Sequence, residues 1–532
     1  MRNEFIVATV LLVLAIAAVA FFTWPPAWYF FFVLIPILAV GIYDFFQTKH
    51  TIMRNFPIFG RGRYWAEFLR PKLQQYFIEE DLTGRPYHRI NRSIIYQRAK
   101  QDLDTMPFGT RLDVYEPGYE WLPHSINALD GHHMDHDPRV LIGSPNCKKP
   151  YNASVLNVSA MSFGSLSKNA VMALNGGAQI GNFAQNTGEG GVAPYHTDPG
   201  GDLIWQIGTG YFGCRTEDGN FNPDQFKETA SHQHVKMIEL KLSQGAKPGH
   251  GGILPGKKVT PEIAEIRKIK MGGDVVSPPY HKAFDTPKKM LELIIQMRNL
   301  CGGKPVGFKL CIGNPLEFVS ICKAIIQTKI YPDFITIDGG EGGTGAAPLE
   351  FSNAVGMPMR EGLAFAYNTL VGFDLKDKIT LIASGKIVTG FHMIRAFALG
   401  ADACYSARAM MMALGCIQAL ECNTNHCPTG ITTQDPELVA GLVVSDKKVR
   451  VANYHKETVT SFVELMAAMG IKKSDQLNRN HIYRRVSLND VRTYQELYPP
   501  LSKGRLLEAA LPDEYKYLIE QSTADSFAAQ VA

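Results

Sequence analysis

The stretch Phe334-Ile-Thr-Ile-Asp338, followed at once by Gly339-Gly-Glu-Gly-Gly-Thr-Gly345, gives the clearest indication of how this chain folds. A short run of β-branched and apolar residues indicates a buried strand, and its abrupt change to glycine and polar residues indicates a loop at its carboxyl end. The same change recurs along the chain from residue 154 onward. The pattern therefore predicts a series of similar strand units.

Eight strand-like runs share this character, at 154–160, 181–186, 237–242, 274–277, 305–310, 334–338, 379–384 and 403–406. Stretches with helical spacing separate several of them, at 288–299, 316–327 and 390–399. Successive strand and helix units predict an α/β fold, a closed parallel (β/α)8 TIM barrel.

The carboxyl ends of the strands are the expected active-site face of such a barrel. Its usual phosphate site is formed by the loops after strands seven and eight, here Ser384, Gly385, Lys386, Ser406 and Arg408. Strand six adds the glycine-rich residues Gly342, Gly343, Thr344 and Gly345. Glycine lets a backbone approach a phosphate closely, although the same glycines are also consistent with simple tight turns.

Two stretches match the pattern G-x-G-x-x-G, at Gly208/Gly210/Gly213 and Gly340/Gly342/Gly345. Neither has the strand-to-helix setting of a dinucleotide-binding motif, because the first does not clearly open a helix and the second runs into Pro348. We therefore expect no nicotinamide domain.

Three cysteines, Cys416, Cys422 and Cys427, lie within twelve residues. Soft thiolates suit iron–sulfur clusters, and three ligands suggest a 3Fe-4S cluster. Two other interpretations remain on spacing alone, namely buried free thiols or a zinc site that uses His426 as its fourth ligand.

Composition limits the remaining classes of function. The chain has 532 residues, 45% of them hydrophobic, and a net charge of +4, which is too weak to indicate a nucleic-acid partner. The six other cysteines lack the regular spacing of a disulfide framework and so favour a reducing compartment.

Two apolar runs at 5–22 and 27–46 are each long enough to cross a bilayer. The turn between them, Thr23-Trp-Pro-Pro-Ala-Trp28, predicts a transmembrane hairpin over residues 1–48. From Lys49 to Lys100 there are eleven Lys and Arg against four Asp and Glu, which favours the cell inner membrane with the catalytic domain on the cytoplasmic side. A cleaved signal peptide is the competing interpretation.

The rest of the chain divides into three further segments: a lead-in region at 49–150 that packs on the barrel, the barrel domain at 151–480 and a carboxy-terminal extension at 481–532. The lead-in region contains His132, His133, Asp135 and His136. Such a stretch is more often a solvated loop than a metal site.

Several motifs resemble the FMN- and 3Fe-4S-binding synthase domain of glutamate synthase over about residues 150–480. They are Ala160-Met-Ser-Phe-Gly-Ser-Leu-Ser167, Asn186-Thr-Gly-Glu-Gly-Gly191, Gln244-Gly-Ala-Lys-Pro-Gly249, Gly342-Gly-Thr-Gly-Ala346 and Cys427-Pro-Thr-Gly-Ile-Thr-Thr-Gln434. The resemblance implies an oxidoreductase acting on CH–NH2 donors. Ammonia would add to 2-oxoglutarate, and FMN, fed with electrons through the cluster, would reduce the product to L-glutamate.

The resemblance also implies residue roles. Lys247 and Arg267 match basic substrate-binding positions, Lys247 and Glu189 are implied to be catalytic, and Ser162 is implied to contact both substrate and flavin. Met161 and Lys309 match further flavin-contacting positions. The alternatives are ordinary surface cations at Lys247 and Arg267, and a loop or capping carboxylate at Glu189.

The chain departs from the family pattern in the substrate loop, where it has His250 and Ile253 in place of a carboxylate and an amide. A related enzyme that uses another 2-oxo acid or an amine, similar to N-methylglutamate synthase, is therefore an alternative, and so is a membrane electron-transfer subunit. The membrane hairpin stands where the family has its glutaminase domain. We therefore expect ammonium or a separate amidotransferase subunit to supply nitrogen, and a separate protein to supply electrons.

Overall fold

The computed structural model describes residues 2–102 and 105–529, which form two compact units, one up to Ile90 and a larger one from Asn91. The first unit opens with helices Arg2–Phe22 and Phe30–Phe46, joined by the 3₁₀ turn Pro25–Tyr29. Residues Arg2–Phe22 and Pro25–Phe46 are long and apolar enough to span a membrane, by length and composition. Most of their side chains are exposed, unlike those of a buried core helix.

Asp44 ties the end of this hairpin to the chain that follows. Its buried carboxylate accepts hydrogen bonds from Arg61 Nε at 2.8 Å, Arg61 Nη2 at 2.8 Å and the Ile58 amide at 3.1 Å. Arg61 begins the helix Arg61–Leu73, which continues as one π-helical turn over Gln74–Ile78.

Eight parallel strands close into a barrel in the larger unit. They are β1 Leu156–Val158, β2 Ala184–Asn186, β3 Asp202–Ile207, β4 Val235–Lys241, β5 Val306–Leu310, β6 Phe334–Asp338, β7 Thr380–Ser384 and β8 Ala403–Ser406. Closure occurs where β8 pairs with β1, with Tyr405 opposite Asn157. The predicted (β/α)8 barrel is confirmed.

The main helices around the barrel are Lys168–Gly181, Pro194–Thr197, Pro223–Ala230, Pro287–Leu300, Pro315–Thr328, Met359–Gly372, Gly390–Ala398 and Val444–Ala468. Three of them confirm the helices predicted at 288–299, 316–327 and 390–399. Their starts follow from local chemistry: for example, Thr286 Oγ1 accepts a hydrogen bond from the Lys289 amide, and Pro287 occupies the first helical position. Further helices lie at Thr51–Asn55, Arg89–Lys100, Pro261–Arg267, Leu349–Ala354, Arg408–Leu414, Pro436–Ala440, Tyr494–Leu497 and Asp513–Gln521.

The predicted set of strands contains one error. The run 274–277 is not a barrel strand, because Val275–Val276 forms a two-stranded antiparallel hairpin with Ile253–Leu254. The third barrel strand is instead Asp202–Ile207, which the sequence interpretation missed. The segment between β4 and Pro287, with its hairpin and the helix Pro261–Arg267, is therefore an excursion that carries the predicted substrate residues.

A hairpin of Arg139–Ile142 and Tyr151–Ser154 closes the amino-terminal end of the barrel. Its residues Ile142 and Ala153 share one buried cluster with strand residues such as Ile204, Phe334 and Ile382. A small antiparallel sheet also joins Glu120–Trp121, Tyr483–Arg485 and Val491–Thr493. With this end filled by apolar side chains, the carboxyl ends of the strands are left for the candidate site.

Candidate active site

A buried ion pair marks the mouth of the barrel. Glu189 follows β2, and Lys241 ends β4, so the topology brings both to the same face. Lys241 Nζ lies 2.7 Å from Glu189 Oε1 and 2.9 Å from Gln244 Oε1. Burial alone would raise the pKa of Glu189, but Lys241, with help from Arg267 and Lys247, lowers it below its ordinary value. Glu189 is therefore an ionised carboxylate at neutral pH.

Lys247 is a buried cation in the loop after β4. Its side chain is 2% exposed, and Nζ donates a hydrogen bond to the Ala346 carbonyl at 2.7 Å, which links the loops after β4 and β6. Burial lowers its pKa to about 8, with Glu189 acting in the opposite direction. The interpretation of Lys247 as an ordinary surface cation is wrong.

Arg267 is also buried, at 4% exposure, near the end of the excursion helix Pro261–Arg267. Its Nη2 donates to Phe163 O at 3.1 Å and Ser162 Oγ at 3.3 Å, and its guanidinium lies 5.2 Å from the centre of the Phe212 ring. The buried Nε has no protein partner among the described residues. Burial lowers the pKa of Arg267 to about 10, so it stays charged at neutral pH.

The charges that act on Glu189 do not balance its own charge. Lys241, Lys247 and Arg267 all interact electrostatically with Glu189, so three cations face one carboxylate and leave a formal charge of +2 when all are ionised. Lys309 does not add to this excess, because its Nζ lies 3.2 Å from Asp338 Oδ2. A buried excess of positive charge is costly without a partner, and a dianionic ligand would neutralise it.

A polar network beneath the mouth holds the strands together. Buried Glu239 of β4 accepts hydrogen bonds from Gln206 Nε2 at 2.7 Å, Asn186 Nδ2 at 3.0 Å and Thr336 Oγ1 at 3.1 Å. Burial raises the pKa of Glu239. For Lys309 the outcome is different, because Asp338 and Glu239 outweigh burial and raise its pKa. Lys309 therefore stays a buried ammonium group beside Asp338.

Several predicted flavin positions lie at the carboxyl ends of β1, β7 and β8, and one of them, Ser162, also contacts Arg267. Met161 and Ser162 follow β1 and are buried, and Ser162 Oγ lies 3.1 Å from Ser165 Oγ. Ser384 ends β7, and its hydroxyl lies 3.4 Å from that of Ser159, the residue that follows β1. The Ser406 hydroxyl at the end of β8 donates to Ile387 O at 2.7 Å, which shapes the loop after β7.

The hydrogen-bond donors at these strand ends fit an FMN group. Arg408 Nη2 donates to the Glu341 carbonyl at 2.7 Å, which places its guanidinium against the glycine-rich loop Gly342-Gly-Thr-Gly345. A Cβ at Gly343 would lie 2.6 Å from Arg408 Nε, so a larger residue there would displace the guanidinium from this position. Lys386 adopts a left-handed φ of 48° directly after Gly385. A cationic cradle with close backbone is the chemistry that a flavin phosphate requires.

The cysteine loop is fixed by the residues that carry its family motif. Thr433 Oγ1 donates to Asn425 O at 2.6 Å, and Gln434 Nε2 donates to Gly164 O and Leu166 O at 3.0 and 2.9 Å. The loop that bears Cys422 and Cys427 is therefore attached to the loop after β1.

Lys258 joins the same loops from the excursion. Its buried Nζ donates to the carbonyls of Thr432 at 2.5 Å, Cys422 at 2.7 Å and Ser165 at 3.3 Å. Burial lowers its pKa to about 8. One ammonium group thus fastens the excursion, the cysteine loop and the loop after β1 to one another.

The three thiols lie within electrostatic reach of one another. Burial raises the pKa of Cys416 to about 11 and raises that of Cys422, whereas hydrogen bonds from Thr429 and Thr432 outweigh burial and lower the pKa of Cys427. Over residues 2–102 and 105–529, no three His, Cys, Asp or Glu side chains converge as ligands of a single ion, and His426 is exposed. Thiolates are soft ligands of the kind that iron–sulfur clusters use, so the donor chemistry of the three cysteines is compatible with a cluster.

Three residues of this site were missed from the sequence: Lys241, Glu239 and Lys258. Glu239 and Lys241 are two positions apart in the apolar run Val235–Lys241 and therefore point to the same side of the strand. Charged residues at that spacing within a buried strand are the signal that would have found them. The predicted preference for a solvated loop at 131–138 agrees with the structure, where His132, His133 and His136 are exposed.

The fold and the site together define a (β/α)8-barrel protein with a buried basic pocket at its mouth. Residues 128–472 match the family described as the conserved region in glutamate synthase. The chain therefore belongs to the glutamate synthase family, and it is an oxidoreductase.

Several curated relatives define the extent of this match. The chain is 37% identical over 492 residues to the glutamate synthase large subunit-like protein YerD of Bacillus subtilis, covering 85% of this chain and 93% of that protein. It is 36% identical over 337 residues to the archaeal glutamate synthase [NADPH] of Methanocaldococcus jannaschii, covering 63% of this chain and 62% of that protein. The match to the glutamate synthase [NADPH] large chain of Bacillus subtilis is 35% identical and covers 60% of this chain and 20% of that protein.

Among solved structures, the L230A mutant of flavocytochrome b2 with benzoylformate aligns with a TM-score of 0.44 and 14% identity. The alignment covers 78% of this chain and 91% of that one.

Proposed function

We propose that the barrel mouth binds 2-oxoglutarate and converts it with ammonia into L-glutamate, using FMN and a 3Fe-4S cluster. The observation that carries this proposal is the buried charge excess, in which Lys241, Lys247 and Arg267 face the single carboxylate of Glu189. A dicarboxylate such as 2-oxoglutarate brings two negative charges and neutralises it. Membership of the glutamate synthase family supports the same chemistry.

Arg267 and Lys247 would hold the substrate carboxylates. Arg267 has a buried Nε without a protein partner among the described residues, and its planar guanidinium suits a carboxylate. Lys247, with a pKa lowered to about 8 by burial, would become a stable ammonium group when an anion binds beside it. Both side chains are buried, so contacts with the substrate would be shielded from water.

Glu189 would accept and return protons during the reaction. Because its pKa is lowered, Glu189 is an ionised carboxylate that can bind an ammonium ion. It would take up a proton from that ion once a bound dicarboxylate has neutralised the neighbouring cations that lower this pKa. Ammonia would then add to the 2-oxo carbon of the substrate with loss of water, giving 2-iminoglutarate. Lys241, at 2.7 Å, would keep Glu189 oriented during these steps.

The cofactors would be held by separate parts of the mouth. FMN would be held by Met161, Ser162, Lys309, the loop Gly342-Gly-Thr-Gly345, Ser384-Gly-Lys386, Ser406 and Arg408. The cluster would be held by Cys416, Cys422 and Cys427. When bound, FMN would supply the hydride that reduces the imine, and the cluster would relay the electrons.

A second candidate is the same chemistry with another amine or 2-oxo acid. The chain between Lys247 and Arg267 contains His250, whose ring contacts Phe351 edge-on at a centroid distance of 5.2 Å. Ile253 begins the short hairpin strand Ile253–Leu254 of the excursion. Both departures from the family pattern therefore lie in the segment that connects the two predicted substrate residues, and this favours a changed substrate.

Reoxidation of the reduced protein distinguishes these possibilities. The purified full chain, reduced anaerobically with dithionite, is mixed with 2-oxoglutarate and either ammonium or methylammonium while flavin absorbance is followed. We expect reoxidation with ammonium. Faster reoxidation with methylammonium would favour the second candidate, and no reoxidation with either amine would favour an electron-transfer subunit.

The amino-terminal unit would anchor the enzyme in the cell inner membrane, with the barrel on the cytoplasmic side. Two exposed apolar helices and the excess of eleven basic over four acidic residues at 49–100 support this placement. Extraction of the protein by sodium carbonate alone, without detergent, would contradict it.

A further inference from the structure

The helical segment 61–78 follows the apolar hairpin after the short helix Thr51–Asn55, and none of its residues is buried. In a water-soluble protein such a segment would be expected to be polar. Here it exposes Trp65 at 65%, Phe68 at 60%, Phe77 at 82% and Ile78 at 62%. This amount of aromatic and aliphatic surface indicates a partner.

The apolar residues follow a helical stripe. Trp65, Phe68, Leu69 and Leu73 occupy positions i, i+3, i+4 and i+8 of the helix Arg61–Leu73, and all are exposed. Tyr76, Phe77 and Ile78 extend the exposed apolar surface through the π-helical turn.

The other face is polar and basic. Arg63 pairs with Glu67 at 2.9 Å one helical turn away, and Arg70 is exposed. Lys72 lies on the stripe itself, with its ammonium 3.9 Å from the centre of the Phe68 ring, so it can reach past an apolar layer to a headgroup. With four basic residues among its first twelve, the segment is too polar to cross a bilayer.

We propose that residues 61–78 form an interfacial helix that lies in the plane of the membrane and binds anionic lipid headgroups. This inference rests on the proposed membrane hairpin, because Asp44, near the end of the second apolar helix, holds Arg61 at the start of the segment. The ion pair keeps the segment at the level where the hairpin leaves the bilayer. Tryptophan, tyrosine and basic side chains are the residues that favour this boundary. The occupant of the stripe is therefore the lipid surface that surrounds the hairpin.

A photo-crosslinking experiment tests this inference on the full chain. A benzoylphenylalanine probe is placed at Phe68 on the stripe or, as the matched control, at Glu67 on the polar face. The proteins are reconstituted in nanodiscs of phosphatidylcholine with or without phosphatidylglycerol. After irradiation, the mass of each probe-containing peptide is measured. We expect lipid adducts at Phe68 and none above background at Glu67.

The charge requirement is tested with Arg70→Gln and Lys72→Gln together in the Phe68-probe protein. Each basic residue near an anionic surface contributes roughly fivefold. We therefore expect the double variant to lose the increase in adduct yield that phosphatidylglycerol produces. Equal lipid labelling at Phe68 and Glu67, labelling of a protein, or no adduct at Phe68 would overturn the inference.

A third probe at Val33, in the second apolar helix, separates this inference from the proposed anchor. Lipid adducts at Val33 without adducts at Phe68 would overturn the interfacial helix alone. Absence of lipid adducts at Val33 would overturn the hairpin.

Discussion

Replacing Arg267 with alanine should weaken the binding of 2-oxoglutarate without removing the flavin. The side chain is 4% exposed, and its Nε has no protein partner among the described residues, so a bound carboxylate would meet a largely desolvated guanidinium. Loss of a hydrogen bond to a charged group costs about 1.5 to 3 kcal/mol, which corresponds to a roughly 10- to 150-fold higher Kd. Isothermal titration calorimetry with 2-oxoglutarate measures this change directly.

Two controls separate a lost contact from a damaged fold. Arg267→Ala also removes the donor to Ser162 and Phe163, so the variant must keep its flavin content and be tested below its melting temperature. Lys270→Ala removes the same charge from an exposed position three residues away and should leave Kd unchanged. An unchanged Kd in a folded Arg267→Ala protein would refute the assignment of Arg267 to the substrate.

Three further predictions follow from the site. Burial lowers the pKa of Lys247 to about 8, and its ammonium form binds the anion. The affinity for 2-oxoglutarate should therefore be full below about pH 8 and fall by up to about tenfold per pH unit above it. A Lys247→Met protein that kept this pH dependence in calorimetry would contradict the assignment. Glu189→Gln should lower turnover by roughly 10²- to 10⁴-fold, because the amide cannot accept a proton, while 2-oxoglutarate should bind at least as tightly. Steady-state kinetics measure the turnover and calorimetry measures the binding. Weaker binding at unchanged turnover would be inconsistent with this role. Cys422→Ala should lose iron and retain flavin in metal and absorbance analysis, with Cys147→Ala as the thiol control, and full iron content in Cys422→Ala would exclude the proposed ligand set.

The barrel was predictable because its strands end in an abrupt change of composition. Phe334–Asp338 and its glycine-rich loop show that change clearly, and the structure has the strand at the predicted bounds. The third strand, Asp202–Ile207, is separated from β2 only by the helix Pro194–Thr197. The strand was missed because this four-residue helix is too short to produce a helical pattern in the sequence. The run 274–277 looked like a strand because it is one locally, but its partner is Ile253–Leu254 within the excursion.

Residues of the candidate site could be predicted where they belong to a sequence motif. Residues whose role depends on contacts between distant parts of the chain could not. Glu189, Lys247 and Arg267 were found through family motifs, and the structure brings all three within electrostatic reach. Lys258 lies outside those motifs, and its importance depends on three carbonyls from residues 165, 422 and 432 that meet only in the folded chain. Similarly, the lowered pKa of Glu189 follows from Lys241, 52 residues away, because burial alone would have raised it.

Formation of labelled glutamate is the most direct test of the central claim that the barrel mouth aminates 2-oxoglutarate reductively. Purified full chain is incubated anaerobically with reduced methyl viologen, 2-oxoglutarate and ¹⁵N-ammonium, and the products are analysed by mass spectrometry. We predict ¹⁵N-labelled L-glutamate from the wild-type chain and a greatly reduced amount from Glu189→Gln. Absence of labelled glutamate from a wild-type protein that contains both flavin and iron would contradict the claim.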